Sequence, residues 1–255
     1  ALRNRFRAFL AGLGVTAVLQ SSTATGLMTA GFAAGGLVDL VPALAVMLGA
    51  NVGTTLIVQV LSFDVVLVSP ALILIGLLMF RRDSRTRRHD LGRGFIGLGL
   101  TPLALRQLLH LMTGYENSPI FTLVLSTVSA SWFLDVCLAA VITWAAHSSV
   151  AVVLLVMSLA AKGVVPLDAA FALVLGANLG TAINPLLEGP GGDDPAARRL
   201  PLGNLIGRVL GVAVAINFLG PLAQLAMSIE PTAARAVADF HTLFNLVVAA
   251  ISLPL

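Results

Sequence analysis

The chain has 255 residues, of which 58% are hydrophobic and only 11% are charged. Soluble domains carry about 25% charged residues, so this composition excludes a water-soluble protein and indicates an integral membrane protein. The formal net charge of +3 is too small a basic excess to indicate binding to nucleic acid. Aromatic residues make up 6% and 24 residues are glycine, which favours closely packed helices over a membrane barrel, so the expected fold class is all-α.

The first apolar segment runs from residue 8 to residue 34 and is interrupted near its middle by the polar motif Gln20-Ser21-Ser22-Thr23. It ends at Gly35-Gly36, a typical turn sequence. A helix that crosses a bilayer needs about 20 apolar residues, and each arm beside the motif is shorter than that. The segment therefore predicts a re-entrant hairpin with a polar tip.

The second apolar segment, residues 40 to 61, contains Gly49-Ala50-Asn51-Val52-Gly53-Thr54-Thr55 near its middle. Glycine on both sides of Asn51 frees the backbone to unwind, which a membrane tolerates where the backbone lines a cavity. The pattern predicts a broken transmembrane helix. The hairpin and the broken helix form a first repeat, over about residues 8 to 61.

Two linking spans are expected between about residues 65 and 112, separated by the arginine-rich segment 81 to 93. Cytoplasmic loops are enriched in Lys and Arg, so this segment is predicted to be a cytoplasmic loop of a multi-pass protein in the inner (plasma) membrane. Arg208 lies toward the end of a later span and is expected to extend its charged head into the interface.

The first repeat recurs without a gap in the alignment. His147-Ser148-Ser149 matches Gln20-Ser21-Ser22, and Asn178 matches Asn51, since 147 − 20 = 127 and 178 − 51 = 127. Internal repetition of this kind constrains the architecture of a whole chain.

The second repeat is predicted over about residues 121 to 187, as a hairpin to residue 161 and a broken helix from residue 167. Closing helices follow over about residues 202 to 253. Three crossings between the two hairpins turn the second repeat upside down relative to the first. Inverted repeats with broken helices are typical of secondary transporters.

The repeated polar residues supply neutral hydrogen-bond donors that suit a small oxyanion. Helices that begin at the hairpin tips would add backbone N–H groups and the positive end of the helix dipole. No residue pattern in the sequence indicates covalent chemistry, so we expect no enzymatic activity and no cofactor. The predicted anion site consists of Gln20, Ser21, Ser22, Thr23, His147, Ser148 and Ser149.

Hydroxyls and freed carbonyls around the two Gly-Ala-Asn motifs are hard oxygen ligands, the kind that an alkali cation takes. Either motif alone is as consistent with hydrogen bonds between neighbouring helices as with an ion site. The glycines alone are also consistent with close helix packing. Recurrence of the intervening Asn and Thr favours an ion site. Its predicted residues are Asn51, Gly53, Thr54, Thr55, Asn178, Gly180 and Thr181.

With these motifs, the sequence resembles the sodium/phosphate cotransporter family, whose members carry a Gln-Ser-Ser-Ser type motif twice. The likeness extends to residues 91 to 100 and 240 to 245 and covers nearly the whole chain. It implies sodium-coupled uptake of inorganic phosphate by alternating access, with phosphate at the hairpin tips and sodium at the Asn motifs. It also implies a possible soluble regulatory domain beyond the chain.

His147 stands where the family has a second Gln, and Thr23 and Val150 stand where a third Ser is usual. His147 is therefore either a proton-sensitive member of the site or a neutral donor in place of the amide. A transporter of another small anion, or a proton-coupled one, remains an alternative. So does a protein of another class, namely a channel or a membrane-embedded phosphate sensor without transport.

Overall fold

The computed structural model describes residues 4–62, 68–82, 87–113, 118–119, 131–189 and 195–254. Over these ranges the protein is all-helical, as its composition predicts, and contains no β-strand. The helices are α1 (Arg5–Leu19), α2 (Ser22–Ala34), α3 (Leu40–Leu61), α4 (Val68–Arg82), α5 (Arg87–Thr113), α6 (Trp132–Ala146), α7 (Ser149–Ala161), α8 (Leu167–Glu188), α9 (Pro195–Ala215), α10 (Leu219–Ile229) and α11 (Ala233–Ser252).

Four helical segments within the described ranges are long and apolar enough to cross a membrane. They include α3 and α8, each with 22 residues, and α11 with 20 residues. The fourth joins α9 and α10 through a short 3-10 turn into one stretch over Ala197–Ile229. Their length and hydropathy support the prediction of a polytopic helical membrane protein.

The first hairpin consists of α1 and α2, and its tip breaks the helix as predicted. Gln20 ends α1 in the left-handed conformation, with φ of 54°, and Ser21 follows in an extended conformation. The Oγ1 atoms of Thr16 and Thr25 lie 2.8 Å apart, in hydrogen-bond contact across the two arms. The polar motif therefore sits where one helix stops and the next begins.

The second repeat has the same helix boundaries, displaced by 127 positions. His147 ends α6 with φ of 53°, and Ser148 caps the start of α7 just as Ser21 caps the start of α2. The glycines that close the two hairpins also agree, with φ of 70° at Gly36 and 69° at Gly163. The part of the predicted second hairpin over residues 120 to 130 lies outside the described residues.

The prediction of broken helices is wrong, because α3 and α8 run unbroken through both Gly-Ala-Asn motifs. Their glycines instead permit a close approach between helices. A Cβ atom at Gly49 would lie 1.8 Å from the carbonyl oxygen of Phe9 in α1. At the matching position, a Cβ atom on Gly176 would lie 2.2 Å from the carbonyl oxygen of Val136 in α6. Packing against a neighbouring backbone, rather than unwinding, explains these glycines.

The next glycine in each motif serves the same purpose. A Cβ atom at Gly53 would lie 2.9 Å from the carbonyl oxygen of Leu13, and one at Gly180 would lie 2.5 Å from that of Ala140. Each long helix is thus held against the first arm of its own hairpin along two successive turns.

Residues 60 to 123 form a compact unit of their own, and the remaining residues form the other. In the smaller unit α4 and α5 pack at glycine, because a Cβ atom on either Gly76 or Gly92 would lie 2.7 Å from the other's carbonyl oxygen. The prediction that residues 81 to 93 form a loop is wrong, since α4 continues to Arg82 and α5 begins at Arg87. Residues 83 to 86 lie outside the described residues.

Candidate functional site

The two hairpin tips meet at one small cavity of about 10 Å³, which is room for about one water molecule. All seven residues of the predicted anion site line it, together with Thr54 and Val150. The repeat that is visible in the sequence therefore corresponds to a shared cavity, to which each half contributes the same tip. Six of the nine lining residues carry a hydroxyl group, Gln20 adds an amide and His147 adds an imidazole.

The start of α2 has backbone donors at the tip that lack a partner within the helix. The Oγ atom of Ser21 accepts a hydrogen bond of 3.1 Å from the N–H of Ala24, and the N–H of Thr25 begins the helical ladder. The N–H groups of Ser22 and Thr23 come before that ladder, so they have no acceptor within the helix. They are available to an anion, as at other helix N-termini.

The start of α7 is built in the same way. The Oγ atom of Ser148 accepts a hydrogen bond of 3.2 Å from the N–H of Ala151. A serine that caps a helix through its oxygen still has its hydroxyl hydrogen to donate. Two helix N-termini, each with the positive end of its dipole, therefore border one cavity.

His147 has polar partners that Gln20 does not share. Its Nδ1 atom lies 3.0 Å from Nδ2 of Asn184 and 3.5 Å from Oε2 of Glu188. A neutral ring that accepts from Asn184 at Nδ1 carries its proton on Nε2, where it is a donor like the amide it replaces. The positions matching Asn184 and Glu188 in the first repeat are Ile57 and Leu61. Sequence reasoning missed both partners, although aligning the repeats reveals a polar residue opposite an apolar one.

Among the residues of the predicted cation site, Thr54 lines the cavity. Its Oγ1 atom donates 3.0 Å to the carbonyl oxygen of Ala50, which leaves the oxygen lone pairs of the hydroxyl for a ligand. Thr55 and Thr181 likewise donate to backbone carbonyl oxygens of their own helices. The cavity lining does not include Asn51, Gly53, Thr55, Asn178, Gly180 or Thr181.

The two repeated asparagines contact α9 instead. Asn51 donates from Nδ2 to Oδ1 of Asn204 over 3.4 Å. Asn178 accepts at Oδ1 from Nη1 of Arg208 and from Nδ2 of Asn245, the latter over 3.0 Å. The expectation that Arg208 reaches the membrane interface is wrong, because the residue is buried inside the protein and only 3% exposed. No sequence signal links these residues, since their pairing depends on how α9 and α11 pack.

Comparison with known proteins identifies the family. The family model described as Na+/Pi-cotransporter matches residues 1–110 and 117–253. The chain belongs to the Na+/Pi-cotransporter family. The resemblance that the duplicated motifs indicate is thereby confirmed.

Three curated relatives of this Na+/Pi-cotransporter family member are informative. "Putative inorganic phosphate export protein YjbB" of Salmonella typhimurium is 39% identical over 240 residues, covering 94% of this chain and 44% of that protein. The protein of the same name from Escherichia coli K12 is 37% identical over 247 residues, covering 97% and 45%. "Uncharacterized protein YqeW" of Bacillus subtilis is 30% identical over 249 residues, covering 98% and 80%. The chain thus spans less than half the length of the YjbB proteins, and no solved structure matches it.

Proposed function

We propose that this member of the Na+/Pi-cotransporter family carries inorganic phosphate across the membrane by sodium-coupled symport. The observation that carries the proposal is the cavity where the two hairpin tips meet, bordered by two helix N-termini and lined by Gln20, His147 and hydroxyl groups. The YjbB relatives are named for inorganic phosphate, and the family for sodium and phosphate together.

The donor set suits phosphate, which presents four oxygen atoms. Ser22 and Ser149 are the first residues of their helices, so each offers a backbone N–H and a hydroxyl at the cavity. Ser22 is 7% exposed and Ser149 is 5% exposed. A bound anion would therefore give up its water shell and take hydrogen bonds from these groups instead. Neutral donors bind an anion without the tight ion pair that would slow its release.

Sodium is proposed to bind beside the phosphate, where it would offset part of the negative charge. Thr54 is the first candidate, because it belongs to the Gly-Ala-Asn motif of α3 and lines the cavity. The net charge that accompanies each phosphate matters for energy coupling, since moving one elementary charge through 100 mV is worth about 2.3 kcal/mol.

Inverted repeats are proposed to provide alternating access, with the cavity opening to one side of the membrane at a time. In such a cycle the sodium gradient and the phosphate gradient together set the direction of net transport. An inward sodium gradient favours uptake, while the YjbB relatives are named for export. The direction in the cell is therefore a separate question from the coupling.

The test uses the full-length protein in proteoliposomes that hold labelled phosphate on one side. Sodium gradients in both directions are compared with equal potassium gradients. Saturable phosphate movement that follows the sodium gradient supports the symporter. Current without saturation or coupling identifies a channel, and phosphate binding without flux identifies a sensor.

Proton coupling is the second candidate, favoured by the contacts of His147 with Asn184 and Glu188 beside the cavity. The same vesicles with a pH gradient and no sodium decide between the two. Flux driven by protons alone, and abolished by His147→Gln, would replace sodium in the proposal.

A further inference from the structure

The amide oxygen of Asn178 is fully occupied by the protein itself. Its Oδ1 atom accepts from both Arg208 and Asn245, and its Nδ2 atom donates 2.8 Å to the carbonyl oxygen of Val174. An amide oxygen has two lone pairs, and both are used here. Asn178 is 2% exposed, so no solvent-facing side of the group remains.

The partner of this amide is a buried guanidinium. Arg208 is 3% exposed, and its Nε atom has no hydrogen-bond partner in the described part of the chain. Among the described residues, no carboxylate forms an ion pair with it. A cation at this depth is costly, and such residues in membrane helices are typically part of an ion or substrate pathway.

The first repeat has no such charge at the equivalent position. Asn51 faces the neutral amide of Asn204, which precedes Arg208 by one turn of α9. Asn51 donates from its Nδ2 atom in this contact. The bond to Asn204 therefore does not use the Oδ1 atom of Asn51. One helix therefore presents an amide to the first repeat and a guanidinium to the second.

We propose that the Arg208 guanidinium is a resident cation, which takes the position at Asn178 that the repeat would otherwise offer to sodium. Sodium then acts only through Asn51 and Thr54 of the first repeat. This inference rests on the proposed function, because it assigns the charges that accompany phosphate. The fixed charge replaces one transported ion, so fewer sodium ions move with each phosphate.

The repeat supplies matched variants for the test. Asn178→Asp places a carboxylate against Arg208, which neutralises the fixed charge, whereas a sodium ligand at this position would become a stronger one. Asn51→Ala removes the proposed sodium ligand in the first repeat. Arg208→Lys keeps the charge, and Arg208→Met removes it with a side chain of similar length.

Two readouts are measured on the full-length protein. The first is the protection that sodium, and separately phosphate, gives against thermal unfolding in detergent, with potassium as the reference ion. The second is phosphate flux into proteoliposomes as sodium is varied. Gel filtration of each variant first establishes that it is folded, and Asn178→Asp carries the test if Arg208→Met does not fold.

The proposal expects Asn178→Asp to leave the half-saturating sodium concentration unchanged and to weaken phosphate about tenfold, through loss of a charge that acts on the anion. Asn51→Ala should abolish sodium protection. Arg208→Lys should keep phosphate affinity within about threefold, whereas Arg208→Met should lower it about tenfold.

A half-saturating sodium concentration that shifts in Asn178→Asp overturns the proposal, and so does sodium protection that persists in Asn51→Ala. So does unchanged phosphate affinity in a folded Arg208→Met protein, or wild-type protein that sodium does not protect. Wild-type protein that shows the expected sodium protection but no phosphate flux contradicts the transport function alone.

Discussion

Gly49→Ala should separate α1 from α3 and thereby damage both stability and the cavity. The new Cβ atom would lie 1.8 Å from the carbonyl oxygen of Phe9, 2.7 Å from its carbonyl carbon and 2.9 Å from the amide nitrogen of Leu13. All three are backbone atoms, so no side chain can rotate away to make room. The two helices must move apart.

The size of that movement follows from the contact distance. Nonbonded atoms pack favourably near 3.5 Å, so α1 must shift by roughly 1.5 to 2 Å. Overpacking of this kind typically costs about 1 to 3 kcal/mol, and more when backbone must move. Because α1 ends at Gln20, the same shift moves one wall of the cavity by a distance that hydrogen bonds of about 2.7 to 3.2 Å do not tolerate.

The assay is thermal unfolding of the purified protein in detergent, combined with phosphate flux in proteoliposomes. Gly14→Ala is the matched control in α1, because a Cβ atom there would meet nothing within 4 Å. Alanine in an unhindered helix position is favoured over glycine by about 0.5 to 1 kcal/mol, so this variant should equal or exceed the wild type. Equal unfolding midpoints and equal flux for Gly49→Ala and Gly14→Ala would refute the close approach of α1 and α3.

The remaining predictions concern single side chains. Ser22→Ala and Ser149→Ala should each weaken phosphate binding by about 1.5 to 3 kcal/mol, roughly 10-fold to 150-fold, while membrane expression stays normal. Binding isotherms measure the phosphate affinity, and unchanged affinity in both variants removes these hydroxyls from the site. Thr143→Val should raise the unfolding midpoint, because its Oγ1 atom is buried without a hydrogen-bond partner among the described residues, whereas Thr16→Val should lower it by deleting the bond to Thr25. His147→Gln should retain phosphate flux, since the glutamine amide donates a hydrogen bond as the imidazole does; loss of flux in folded His147→Gln protein contradicts this role of the ring.

The tips were predictable because they depend on local chemistry. A serine that caps a helix, preceded by a polar residue that ends another helix, defines the break at Gln20-Ser21 without help from distant parts of the chain. Duplication of the motif then indicated that both tips belong to one site. The residues of both tips do line one cavity, and that this cavity binds phosphate stays a prediction.

The glycines misled sequence reasoning because their effect depends on a partner helix. The backbone flexibility of Gly49 can be read from the residue itself. The space left by its missing Cβ atom, however, is filled by the backbone of Phe9, which lies 40 residues earlier in the chain. Once that contact forms, a regular α-helix is the conformation that allows it. The recurrence of glycine at Gly176, opposite Val136, has the same cause.

Arg208 could not be placed from sequence for a related reason. Its position near one end of a long apolar segment is equally compatible with an interfacial head group and with a buried one. Only the packing of α9 against α8 brings it to Asn178. The partners of His147, in contrast, could have been found, because comparing the repeats position by position isolates Asn184 and Glu188 as polar exceptions.

The two attachments of α9 have a mechanical consequence. A helix hydrogen-bonded to Asn51 through Asn204 and to Asn178 through Arg208 cannot follow both repeats if they move relative to each other. The contact with Asn51 is a neutral bond of 3.4 Å, whereas the one with Asn178 is assisted by charge and is therefore the stronger. Any rocking of one repeat against the other should break the Asn51 contact first. Helix α9 would then move with the second repeat, and the energy barrier to this movement would come from breaking the bond between Asn51 and Asn204.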